Sequence, residues 1–165
     1  MIEREYLRAR LIGEVVILNG MPPEVGRGVN ISLGGMYFRC NSTRPLGSIL
    51  DLTITLPHNR HLRAQGRVLR VAYHRGEELP IGVAIKFEEL HPEGKSEIET
   101  YVRHTARVLK ALFFELNRAR INETKVRELL AISPIPYQYP LDILREKVAS
   151  ELSGLRLRAG HQYRR

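Results

Sequence analysis

Asn30-Ile31-Ser32-Leu33-Gly34-Gly35 runs directly into Met36-Tyr37-Phe38-Arg39-Cys40. The first six residues have the form N-x-S-x-x-G. Two glycines interrupt an extended run and a second extended run follows at once, a pattern of two strands joined by a tight connection. Upstream, Arg4 and Arg8 stand in R-x-x-x-R spacing, with twenty-one residues between Arg8 and Asn30. Either pattern alone arises easily by chance. The two in this order, at the head of a strand-rich region, carry far more weight.

The strand-rich character extends on both sides. Residues 9–18 are mostly apolar, and Val15-Val16-Ile17 has strong strand propensity. Asn19-Gly20 marks a turn that Met21-Pro22-Pro23 prolongs, and a strand resumes over residues 25–31. Leu50, Leu52, Ile54 and Leu56 alternate with Asp51, Thr53 and Thr55, the period of a half-buried strand. After the turn Pro57-His58-Asn59-Arg60, residues 62–73 and 81–87 read as two more strands. Many short strands separated by turn signals predict a mainly β fold, a small antiparallel β-barrel, followed by C-terminal α-helices.

The texture changes at Leu90-His91-Pro92-Glu93-Gly94. The expected organisation is a barrel with its N-terminal arm over residues 1–94 and a helical region over 95–165. Residues 95–121 have helical period, with Ser96 as the expected N-cap. Ile98, Val102, Thr105, Leu109, Leu112, Leu116 and Ala119 step by four and three, an a/d seam that invites a partner surface. Tyr101, Val108, Phe113 and Phe114 widen it. Homo-oligomerisation through helix 96–120 is therefore expected, with docking of an unidentified protein effector as a second use. Asn122 is placed to cap a second helix through Ile132, and residues 141–157 read as a third, ahead of a basic tail.

The chain carries 26 Lys and Arg against 18 Asp and Glu, a net +8 that favours anionic partners. Residues 1–94 hold twelve basic and ten acidic side chains, and residues 95–165 hold fourteen and eight. A barrel so near balance must place its positive charge locally to hold an anion. Cys40 is the single cysteine, so no intrachain disulfide forms, and it reads as a small core residue. The charged first ten residues do not read as a signal peptide, and the apolar runs 15–18 and 111–114 are too short to cross a membrane. A cytoplasmic protein with no membrane span is expected.

The arginine pair, the N-x-S-x-x-G stretch, Met36-Tyr37-Phe38, Gly47, Gly66-Arg67-Val68-Leu69-Arg70 and Ile81-Gly82-Val83-Ala84-Ile85-Lys86-Phe87 together resemble the PilZ family over residues 2–103. These are small β-barrels that bind the bacterial second messenger cyclic di-GMP. The resemblance implies a ligand, cyclic di-GMP, rather than a cofactor. It also implies ligand-binding residues: Arg4 and Arg8 on the arm, Asn30, Ser32, Gly34 and Gly35 in the second motif, and Arg70 beyond them. Arg10 and Arg39 are weaker members of the same basic rim.

The chemistry of these residue types suits that ligand. A guanidinium offers paired donors to the guanine O6 and N7 acceptors, pairs with phosphate and stacks on a purine face. The Asn30 amide oxygen accepts from the guanine N1–H and N2–H; an aspartate there offers two acceptors instead of one. Ser32 adds a hydroxyl for a phosphate or a guanine amine. Gly34 and Gly35 permit positive φ and close backbone approach.

Competing chemistries are poorly supported. His58 and His61 lie in a turn with no grouped cysteine or carboxylate, so no metal site is expected there. No phosphate-binding glycine loop, nucleophile elbow or catalytic carboxylate pair is present, and no enzyme or catalytic residue is expected. A basic nucleic-acid-binding regulator and a PilZ-type interaction module without ligand remain as alternative readings. A low aromatic content of 7% weighs against single-strand binding.

Overall fold

The structure is a computed structural model. It describes residues 6–42, 44–73, 80–136 and 139–155. Arg4 and the expected basic tail lie outside the described residues.

Seven strands form one sheet: β1 (Arg8–Arg10), β2 (Glu14–Ile17), β3 (Glu24–Ser32), β4 (Gly35–Arg39), β5 (Ile49–Leu56), β6 (Arg60–Tyr73) and β7 (Pro80–Leu90). The sheet order is β1-β3-β2-β5-β6-β7-β4, and β4 also pairs with β3. That last pairing closes six antiparallel strands into a barrel and leaves β1 outside it beside β3. Closure gives each barrel strand two neighbours, which suits a chain whose strands all bury one face.

The interior follows from the alternation. Leu50, Leu52, Ile54 and Leu56 on β5 are buried, and their polar partners point outward. Val15 and Ile17, Ile31, Met36 and Phe38, Leu62, Ala64 and Val68, and Val83 and Ile85 complete the core. Residues 9–18 divide into two strands around Gly13, where a Cβ would fall 2.1 Å from the Thr55 carbonyl oxygen. The turn between β5 and β6 is made by His58 and Asn59 at φ 63° and 58°. Glu24 holds the β4–β5 connection: its carboxylate accepts from the backbone N–H groups of Asn41 and Ser42, 3.1 Å each, from the Ser42 hydroxyl and from Arg44 at 2.8 Å. Burial pushes its pKa up, but the bonds from Ser42, Arg44 and Asn41 outweigh this and hold it below the ordinary value. Cys40 is buried beside it, and burial, then the Glu24 charge, raises the thiol pKa.

The helices are α1 (Pro92–Leu116), α2 (Glu123–Ala131) and α3 (Leu141–Leu155). The described chain divides into two compact units, Arg10–Thr100 and a second made of Met1–Ala9 with Tyr101–Arg165. In place of the expected start capped by Ser96, α1 opens at Pro92, whose fixed φ and missing N–H suit a first helical position. It also stops five residues short of the expected end. Asn117 and Arg118 turn their N–H groups to the carbonyls of Phe114 and Glu115, and Arg145 Nε caps the Leu116 carbonyl at 2.8 Å. Ala119, expected to extend the seam, is exposed beyond the helix. Glu115, fully buried, accepts from the Asn122 backbone N–H at 3.1 Å and from Arg118, with Lys125 Nζ at 3.8 Å. The Asn122 N–H is the main reason its pKa lies below the ordinary value; burial opposes the shift, and Arg118 and Lys125 support it. Asn122 caps α2 as expected, its side chain accepting from the Lys125 N–H.

The seam differs from expectation in one respect. Ile98, Val102, Thr105, Leu109, Leu112 and Leu116 are all buried within the single chain, as is Val108. It therefore needs no second copy to cover it. Phe113 and Phe114 are the exposed apolar residues of α1.

Candidate functional site

Strict alternation along β3 and β6 would hide two of the expected ligand residues. On β3, Gly26 lies opposite Val15 and Gly28 opposite Phe38, both core residues, so a period of two would turn Asn30 inward as well. A β-bulge between Gly28 and Asn30 inserts Val29 and reverses the faces beyond it. Asn30 then stands opposite Tyr37 on the outer face, and Ile31 opposite Met36 on the inner one. On β6, Leu62, Ala64, Gly66 and Val68 are buried in sequence, and the same period would take Arg70 inward. A second bulge between Val68 and Arg70 leaves Leu69 and Arg70 both exposed, with Arg70 opposite Ala84.

Register then joins the two. Asn30 faces Tyr37 across β3 and β4, Tyr37 faces Ala84 across β4 and β7, and Ala84 faces Arg70 across β7 and β6. Directly opposite residues of antiparallel strands share a face, so the four form one outer row, about 14 Å from end to end at the usual strand spacing. The middle of the row is low. β7 presents Gly82 and Ala84 there, and a Cβ on Gly82 would fall 2.3 Å from the Tyr37 hydroxyl, so the tyrosine lies across the glycine. Basic side chains flank the row: Arg39 opposite Arg27 on one side, and Lys86 opposite Gly35 on the other. All four of Arg27, Arg39, Arg70 and Lys86 make no ion pair among the described residues, whereas Arg67, opposite Lys86, is paired with Glu88. Four cations without an ion pair among the described residues thus stand on this face.

The remaining motif residues divide by role. The Asn30 Oδ1 is buried and accepts no hydrogen bond among the described residues. Ser32 is 4% exposed and donates its hydroxyl to the Gly35 carbonyl at 3.2 Å. Its one donor is thereby committed, and its lone pairs remain as acceptors. Gly35 is required for close approach rather than for positive φ: a Cβ would lie 2.1 Å from the Ile85 carbonyl oxygen. The Gly34 carbonyl accepts from the Phe87 N–H at 2.9 Å, tying the connection to β7. Arg8 opens β1 and is half-buried. Tyr37 was not among the sequence candidates. Its one signal was a position two residues beyond the glycine pair, with Gly82 as small neighbour. Among the described residues no group of His, Cys, Asp and Glu could hold a metal ion. His61 Nδ1 instead lies 3.2 Å from the Thr55 hydroxyl. No helix among the described residues is long and apolar enough to cross a membrane.

Comparison with solved structures finds the same barrel. MotI/DgrA, the inhibitor of motility of Bacillus subtilis, is 21% identical with a TM-score of 0.55, over 63% of this chain and 51% of that one. The present chain thus spans about half of that relative. The PilZ domain of YcgR from Escherichia coli, solved with c-di-GMP, is 13% identical with a TM-score of 0.51, over 64% of this chain and 93% of that one. MrkH of K. pneumonia, solved as its c-di-GMP complex, is 16% identical with a TM-score of 0.55, over 67% and 55%. No curated protein matches the chain. A family model of the PilZ domain matches residues 3–104, and the chain belongs to the PilZ domain family.

Proposed function

We propose that the chain is a receptor for cyclic di-GMP that binds the dinucleotide on the outer face of β3, β4, β7 and β6. The observation that carries this is the row from Asn30 to Arg70, with an unpartnered buried acceptor at one end and an exposed guanidinium at the other. The Asn30 oxygen accepts from a guanine N1–H or N2–H, and Arg70 meets a second base or a phosphate. The low floor at Ala84 admits a flat ring, and Tyr37, lying across Gly82, offers an aromatic face beside it. Ser32, through its lone pairs, accepts a guanine amine rather than donating to phosphate.

Arg4 and Arg8 join this reading through the R-x-x-x-R motif and the family, as the arginines that close on the ligand. Fixing their arm costs conformational entropy, which charged hydrogen bonds and stacking must offset. That closure is the step we propose the protein relays to an effector or to a second copy. Thermal melting with cyclic di-GMP, and with GTP as control, tests the assignment. A rise in melting temperature specific to the cyclic dinucleotide supports it, and equal responses to both refute it.

A further inference from the structure

The outward face of α1 carries a feature that the dinucleotide reading leaves unused. Between Arg103 and its end at Leu116 the helix has one carboxylate, Glu115, and it is buried. The exposed residues of that stretch include Arg103, Arg107 and Lys110, spaced by four and three. Phe114 follows four residues after Lys110, so it shares their face. It is 68% exposed, and its neighbour Phe113 is 41% exposed. From Arg103 to Phe114 the stripe is about 17 Å long at 1.5 Å per residue. Three cations therefore stand in line with a projecting aromatic, with no acid between them.

We propose that this face of α1 docks on an anionic lipid surface. The cations meet the headgroups, and Phe114, with Phe113 at its side, enters the boundary between headgroups and acyl chains. Charge complementarity selects the sign of the partner, and the exposed aromatics select its class. A nucleic-acid duplex uses the cations and leaves the phenylalanines in water, whereas the bilayer uses both. The inference stands independently of the dinucleotide site.

The test is co-sedimentation of the full chain with phosphatidylcholine vesicles, with and without phosphatidylglycerol, beside a gel-shift arm with a random DNA duplex. Arg107→Gln with Lys110→Gln, and Phe114→Ser separately, alter exposed positions, and circular dichroism checks that both variants fold. Docking predicts sedimentation with the anionic vesicles alone. The double charge variant should lose roughly tenfold or more in partitioning. Phe114→Ser should weaken the part of the binding that survives added salt. Absence of vesicle binding, binding unchanged by both variants, or a duplex shift without vesicle binding would each overturn the proposal.

Discussion

Asn30 and Arg70 each directly follow the extra residue of a β-bulge, and the two stand at opposite ends of one row across β3, β4, β7 and β6. Without the bulges both positions belong to the barrel interior. With them, both side chains reach the same outer face. The bulges are therefore the structural device that places the candidate site.

Arg70→Ala tests the far end of the row. Arg70 is exposed and has no ion pair among the described residues, so its removal should leave the melting temperature of the free protein unchanged. Loss of a bidentate contact to guanine costs about 1–3 kcal/mol, roughly five- to a hundredfold in affinity. Fluorescence titration against wild type measures it. Equal affinities would remove Arg70 from the site.

Asn30→Asp tests the near end. The Asn30 oxygen is buried without a hydrogen-bond partner among the described residues, so a carboxylate there is desolvated with no donor bonded to it and should lower the melting temperature of the free protein. The second acceptor should retain or improve binding, and saturating ligand should recover the lost stability. A variant that melts normally and binds worse contradicts the role given to Asn30.

Tyr37 and Gly82 should act as one unit. Tyr37→Ala should weaken binding by about 1–3 kcal/mol if a base stacks there. Gly82→Ala should weaken it too, because the new Cβ displaces the tyrosine. In the Tyr37→Ala background, Gly82→Ala should change affinity little further. A double-mutant cycle checks this, and full additivity would separate the two residues.

Glu115 predicts a pH dependence. Its folded pKa lies below the ordinary carboxylate value, so its stabilisation is present above the unfolded pKa and is lost as pH falls through the folded one. Glu115→Gln should be less stable than wild type at neutral pH, and the gap should narrow on acidification. Urea melts across acid pH measure it. A gap that stays constant would assign the effect to packing alone.

The α1 seam carries a different expectation from that of an open interface. Leu109 and Leu116 are buried within the chain, so Leu109→Glu with Leu116→Glu should unfold the helical unit rather than dissociate a folded oligomer. Light scattering combined with circular dichroism distinguishes the outcomes. Folded monomers replacing a wild-type oligomer would restore the seam as an intermolecular surface.

Much of the fold was legible because its signals are local. The alternation of residues 50–56, the Gly34-Gly35 break and the Asn122 cap each act within a few residues, and each stands where the sequence put it. The site was legible only as a set of motif residues. Its geometry depends on two bulges, which no periodic pattern announces, and on pairings between strands as distant as β3 and β6. The end of α1 was missed for a similar reason. Its apolar period runs on to Ala119, but Arg145, from another helix, binds the Leu116 carbonyl, and Glu115 draws back Asn122. Whether a heptad seam faces a second copy or its own chain is likewise a matter of tertiary burial, on which the spacing is silent.

Calorimetric titration of cyclic di-GMP into the full chain and into Arg8→Ala tests the central claim most directly. The account predicts saturable binding to wild type, no comparable heat with GTP, and a loss of about 2–5 kcal/mol in the variant, thirtyfold or more in affinity. Wild-type binding no tighter than that of Arg8→Ala, or no binding to either, would contradict it.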